Sequence, residues 1–246
     1  MFLKKHGKAL YLFGCVAFAL CLFLCAFIEK KYFPGDAAPV QIGFRLAVII
    51  GSTFFIRRGE YRSRPAAAAS MLAFGLIAVA ASALGNIYTP NSPMSVGANL
   101  WFAFAILVTA VSEEMYFRAV GVKIFETVDG VRISRSGRGC VILCLGAALP
   151  YIITGFGGGI FGLMHTLLIF SLGILSLGMY CCCRNIAVSC IIHFLLNYLS
   201  GVFAYNTSDE APALGLIVYF ISYTAVVVYN IVMGIRLLKK SVSYGG

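Results

Sequence analysis

The stretch Val111–Ala119, VSEEMYFRA, places two adjacent carboxylates, Glu113 and Glu114, and one arginine, Arg118, at the end of an apolar run that begins near Ala98. In a membrane helix each such group costs roughly 2.5–3.5 kcal/mol on insertion scales, so three within six residues need a reason. The surroundings make the membrane reading compelling. Of 246 residues, 61% are hydrophobic and only 11% are charged, with a mean hydropathy of +0.93. A soluble domain carries about 45–50% apolar and about 25% charged residues.

A spanning helix needs roughly 20 apolar residues, and the runs here are too long for core strands. They lie near Ala9–Ile28, Val40–Ile56, Ala66–Leu84, Ala98–Phe117, Cys140–Thr154, Phe156–Cys183, Ile186–Ala204 and Ala213–Leu238. The expected fold is therefore all-α, a polytopic membrane helix bundle of about eight transmembrane helices. The fifth run is short and carries Pro150, which predicts a kinked or partly re-entrant segment.

The net charge of +10 does not point to nucleic acid, because its distribution follows the runs. Lys4, Lys5 and Lys8 precede the first, and Arg57, Arg58, Arg62 and Arg64 separate the second and third. Lys123, Arg132, Arg135 and Arg138 follow the fourth, Arg184 follows the sixth, and Arg236, Lys239 and Lys240 close the chain. The alternate loops hold Lys30 and Lys31 beside Glu29 and Asp36. This alternation predicts both termini on the cytoplasmic side, where an even number of crossings returns the chain. The first run is too long for a signal peptide and lacks a small-residue cleavage site, so it is expected to be retained. The expected location is a cell membrane, multi-pass, with the bacterial plasma membrane favoured.

Residues 1–246 read as a single integral membrane domain, with no internal repeat. The nine cysteines form no disulfide framework or zinc pattern. Cys181, Cys182 and Cys183 end a run at the cytoplasmic side, where acylation is weighed against simple packing and packing is favoured. Asn206-Thr207-Ser208 forms a sequon that reads as coincidence. The polar stretch Glu126–Gly139 is expected to be a solvated loop. Gly158 and Gly162 have the spacing that lets helices approach closely.

The remaining intramembrane polar groups are few. Arg45, near the start of the second run, is expected to snorkel outward. Glu114 and Arg118 are four apart and share a helical face, while Glu113 is turned by about 100°. Phe161 and His165, and again His193 and Asn197, are four apart. Three helices thus each offer polar side chains that could enclose one pocket. A buried carboxylate is a strong base towards water, and an imidazole with an amide can stabilise an oxyanion. Such a set suits hydrolysis of an acyl bond by activated water. No serine or cysteine is obviously paired with either histidine. Taken singly, each feature also fits structural pairing or interhelical hydrogen bonding.

In combination and order, the motifs resemble those of the CPBP intramembrane proteases, the family of CAAX prenyl endopeptidases and bacteriocin-processing enzymes also called Abi. EExxxR is Glu113–Arg118, FxxxH is Phe161–His165 and HxxxN is His193–Asn197. Ala119 stands where many members have glycine, and Gly157–Gly159 with Ile160 replace small polar residues before the second motif. The resemblance covers roughly Ala98–Ser200, placing a protease core at about 98–204. It implies that Glu113 is the general base assisted by His165, that His193 and Asn197 form the oxyanion hole, and that Glu114, Arg118 and Phe161 support the site. It implies no cofactor and no metal; the partners would be the bilayer and a peptide or protein substrate at the membrane. A facial metal site from two histidines and a carboxylate is a sub-alternative. A non-catalytic scaffold or immunity protein is the competing class, and a transporter is disfavoured by the apolar outer halves of the helices.

Overall fold

The computed structural model describes residues 2–32, 38–56, 65–86, 95–155, 159–202 and 213–243. Among these, all regular structure is helical. The elements are α1 (Phe2–Tyr32), α2 (Pro39–Phe55), α3 (Pro65–Asn86), α4 (Val96–Glu113), a π-helical segment (Glu114–Val120), α5 (Gly121–Asp129), a 3-10 turn (Ile133–Arg135), α6 (Gly137–Gly155), α7 (Gly159–Cys183), α8 (Ile186–Val202) and α9 (Ala213–Ser243). Five apolar helices are long enough to cross a bilayer, and the shorter apolar helices Pro39–Phe55, Gly137–Ile152 and Ile186–Leu199 occupy the remaining expected runs. α6 continues through Pro150, and no re-entrant break occurs among its described residues.

The most deeply packed rod is α7. Its apolar window is 67% buried, whereas the other four long spans are 17–22% buried. It contacts α3, α6, α8 and α9. The α7–α9 crossing is close because neither side has a Cβ: one added at Gly234 would lie 2.7 Å from the Ile174 carbonyl oxygen, and one at Gly178 would lie 2.7 Å from that of Gly234. Without a hydrophobic drive in lipid, such backbone approach supplies the packing. The sequence placed the small-residue contact at Gly158 and Gly162 instead, and Gly158 lies outside the described residues. Phe13, Phe23, Phe54, Leu100 and Ile221 point outward, as expected of lipid-facing surfaces.

Both ends of the chain reach the same end of the bundle. Lys8 on α1 pairs with Asp129 at the end of α5. Leu238, near the end of α9, packs against the same buried cluster as Tyr11 and Ile133. The stretch Glu126–Gly139 is correspondingly not a plain loop. α5 extends to Asp129, turns at Gly130 with φ 68°, and a 3-10 turn leads into α6. Arg184 donates from Nη2 and Nη1 to the two Glu126 oxygens at 2.6 and 3.0 Å, and the Ile133 amide donates to the same carboxylate at 3.0 Å. Burial alone would lower the Arg184 pKa, but its bonds to Glu126 and the carboxylate charge carry it upward. Cys181, Cys182 and Cys183 are buried, with the Cys182 thiol donating to the Leu237 carbonyl, so packing describes them better than acylation. The Asn206 sequon lies outside the described residues.

Candidate active site

Glu113 ends α4 with only 3% of its surface exposed. A bare carboxylate there would lack both water and a counter-charge, a cost of several kcal/mol. Arg45 supplies the counter-charge: its Nη1 donates to Glu113 Oε1 at 2.8 Å, and also reaches Ser112 Oγ at 3.3 Å. The expectation that Arg45 snorkels outward is thus overturned. It is 7% exposed, because an acid inside the bundle offers a better partner than the interface does. Tyr151 on α6 donates from Oη to the same Oε1 at 2.7 Å. Among the described residues the hydrogen bonds to Glu113 all land on that oxygen. Oε2 instead faces His193 Nε2 at 3.9 Å.

Glu114 turns the other way. It is fully buried, with Oε1 accepting from His193 Nδ1 at 2.9 Å and Oε2 lying 3.4 Å from Arg118 Nε. That Arg118 contact is an ion pair without hydrogen-bond alignment, since Oε2 is otherwise unpartnered. The wider helix begins at Glu114, and such π segments recur at functional sites. One backbone carbonyl of this segment, that of Phe117, accepts from Tyr11 Oη at 3.4 Å. Gly173 on α7 leaves room for the guanidinium, with its missing Cβ position 3.4 Å from Arg118 Nη2.

The other expected residues are arranged less tightly. His193 is buried, and Asn197 follows one turn later on α8, half-buried. His165 on α7 is exposed, and its ring packs edge-on against Tyr151 with centroids 5.9 Å apart. Tyr151 therefore touches both Glu113 and His165. The side chain of Phe161 lies outside the described residues. Sequence reasoning missed Tyr151 and misassigned Arg45. Arg45 carried a usable signal, a charge in an apolar run, but a lone tyrosine on a membrane helix carries none.

Glu113 lies within the apolar span Val96–Asp129, ten residues before Lys123. Lys123 donates from Nζ to the carbonyl of Phe55 at 2.7 Å, where α2 stops. His193 Nδ1 is held by Glu114 Oε1, which turns the Nε2 edge of the ring towards Glu113 Oε2. The two atoms are 3.9 Å apart, so one water can lie about 2.8 Å from each. Among the described residues no three His, Cys, Asp or Glu side chains gather at metal-binding distance, so the facial donor set weighed from sequence is not formed.

Residues 95–199 match the family model described as type II CAAX prenyl endopeptidase Rce1-like. The match takes in all three motifs but less than half of the chain, and it supports a likeness to the CPBP/CAAX protease family. Arg45 lies outside the matched segment. No curated protein and no solved structure matches the chain.

Proposed function

We propose that the chain is an intramembrane endopeptidase that hydrolyses a peptide bond of a membrane-associated peptide or protein, using water activated by Glu113 and His193. The observation that carries this reading is the buried gap between Glu113 Oε2 and His193 Nε2. A water donating to both atoms keeps its own lone pair free to attack. As its oxygen bonds to the scissile carbonyl carbon, a proton passes to Glu113 Oε2. The tetrahedral oxyanion accepts from the Asn197 amide, which is a donor at any pH. The C–N bond then breaks, and the leaving nitrogen takes the proton held by Glu113.

The resemblance gave His193 an oxyanion role, which needs a proton on Nε2. With Nδ1–H directed at Glu114, that role is open only to the doubly protonated ring, so holding water suits the resting site better. Glu114 and Arg118 fix the tautomer and orientation of His193. His165, exposed and against Tyr151, is placed to meet the substrate. Both termini are cytoplasmic in this reading, supported by their shared end of the bundle and the basic residues gathered there.

A second reading, a non-catalytic scaffold, is favoured by one observation: Glu113 already has a counter-ion in Arg45. The test is purified protein in liposomes, given a peptide library with prenylated and unmodified C-termini and read by mass spectrometry. Wild type should release fragments, and E113Q should do so at least about 100-fold more slowly per folded molecule, the correction being needed because E113Q leaves Arg45 buried without its counter-ion. Equal cleavage by E113Q removes the hydrolase reading, and binding of a membrane protein with no cleavage by either form establishes the scaffold.

A further inference from the structure

The two oxygens of Glu113 have different surroundings. Oε1 accepts from Arg45 Nη1 at 2.8 Å and from Tyr151 Oη at 2.7 Å, whereas Oε2 accepts no hydrogen bond among the described residues and lies 3.9 Å from His193 Nε2. A glutamate carboxylate rotates broadly about its last torsion, so an untethered one would exchange its oxygens. Two bonds on one oxygen remove that freedom, and a charge-assisted bond is roughly twice as strong as a neutral one. Arg45 is itself seated: Ser112 accepts from its Nη1 and donates to the Thr109 carbonyl at 2.9 Å. Arg45 and Tyr151 also interact with each other.

We infer that Arg45 and Tyr151 form a positioning clamp that holds Glu113 by Oε1, reserves Oε2 to take the proton of the attacking water, and ties this orientation to His165 through the Tyr151 ring. This rests on the hydrolase reading of Glu113. Neither residue belongs to the three motifs, and Arg45 comes from a helix outside the segment matched by the family. The site is therefore completed across α2, α4 and α6. Both act through Glu113 rather than on substrate, so their loss should appear in kcat and leave KM little changed.

The test uses wild type, Y151F, R45K, R45M and E113Q in liposomes with a peptide that wild type cleaves. For each, kcat, KM and Tm are measured, with rates corrected for folded protein. Y151F keeps the ring and its packing on His165 while removing only the hydroxyl. The expected result is a kcat about tenfold lower for Y151F and about 100-fold lower for R45M, with KM within about twofold. R45K, which keeps the charge but not the planar fork, should recover part of the R45M loss. Wild-type kcat in both Y151F and R45K, with E113Q inactive, overturns the clamp and leaves the hydrolase reading standing. Losses that vanish on correction for folded protein also overturn it, as the role is then structural. An active E113Q removes the hydrolase reading and the clamp with it.

Discussion

The motif-bearing helices and the two N-terminal helices build the same site from different kinds of sequence. The stretch from α4 through α8 carries its polar groups in pairs four apart: Glu114 with Arg118, and His193 with Asn197. α2 repeats that spacing at Gln41 and Arg45, but the pair is split, Gln41 donating to Glu29 and Arg45 to Glu113. α2 thus provides the counter-charge for Glu113, and α1 packs Tyr11, Cys15 and Phe18 against the π segment, α5 and α6. Gly14 and Gly121 let it approach, each leaving a space that a Cβ would take from Tyr116 or from Leu143 and Tyr11. Reactive groups repeat along one helix because they must share a face. The groups that make them tolerable come from wherever the fold brings a neighbour, and their spacing does not reveal the partner.

The contrast can be broken most severely at Glu113. E113Q is expected to lower kcat per folded molecule by about 1,000-fold, within the range for loss of a general base, and to cost about 3–5 kcal/mol of stability because Arg45 is left buried without its counter-ion. A steady-state assay beside a thermal melt in detergent checks both. Next comes the partner carboxylate. R118M leaves Glu114 charged and buried without its cation, which should cost about 3–5 kcal/mol of stability. Adding E114Q should restore much of that, and denaturation of the single and double variants measures it.

Smaller effects separate packing from chemistry. Gly234→Ala pushes a methyl into the backbone of α7, which cannot yield, and should cost about 1–3 kcal/mol without changing kcat per folded molecule. Gly14→Ala meets the hydroxyl end of Tyr116, a side chain that can turn, and should cost less. Smallest is Glu126→Gln at the bundle end, where a partly solvated pair with Arg184 is lost. About 1 kcal/mol is expected, shrinking as salt is raised.

Much of the fold was legible because a bilayer demands long apolar runs and internal backbone pairing, and both show directly in composition. The motif residues were legible for the same reason: Glu113, His193 and Asn197 stand out against oil. Arg45 stood out equally, but its partner did not. Whether a membrane arginine turns to the interface or to an acid depends on what faces it across sixty-eight residues of chain. Tyr151 was invisible because tyrosine suits membrane helices anyway. The widened turn at Glu114–Val120 packs against α2, α6, α7 and α8, and no local propensity reports it. The helical extension of α5 was obscured by glycine, serine and arginine, which read as a loop until Arg184 closes on Glu126.

The most direct measurement is a double-mutant cycle on cleavage rate with E113Q and H193Q. If both side chains hold one water, removing the second after the first costs almost nothing, and the double variant should fall within about twofold of the slower single variant. Losses that multiply, each variant slowing the reaction by its own full factor whether or not the other is present, would show that the two residues serve separate steps and contradict the shared-water account.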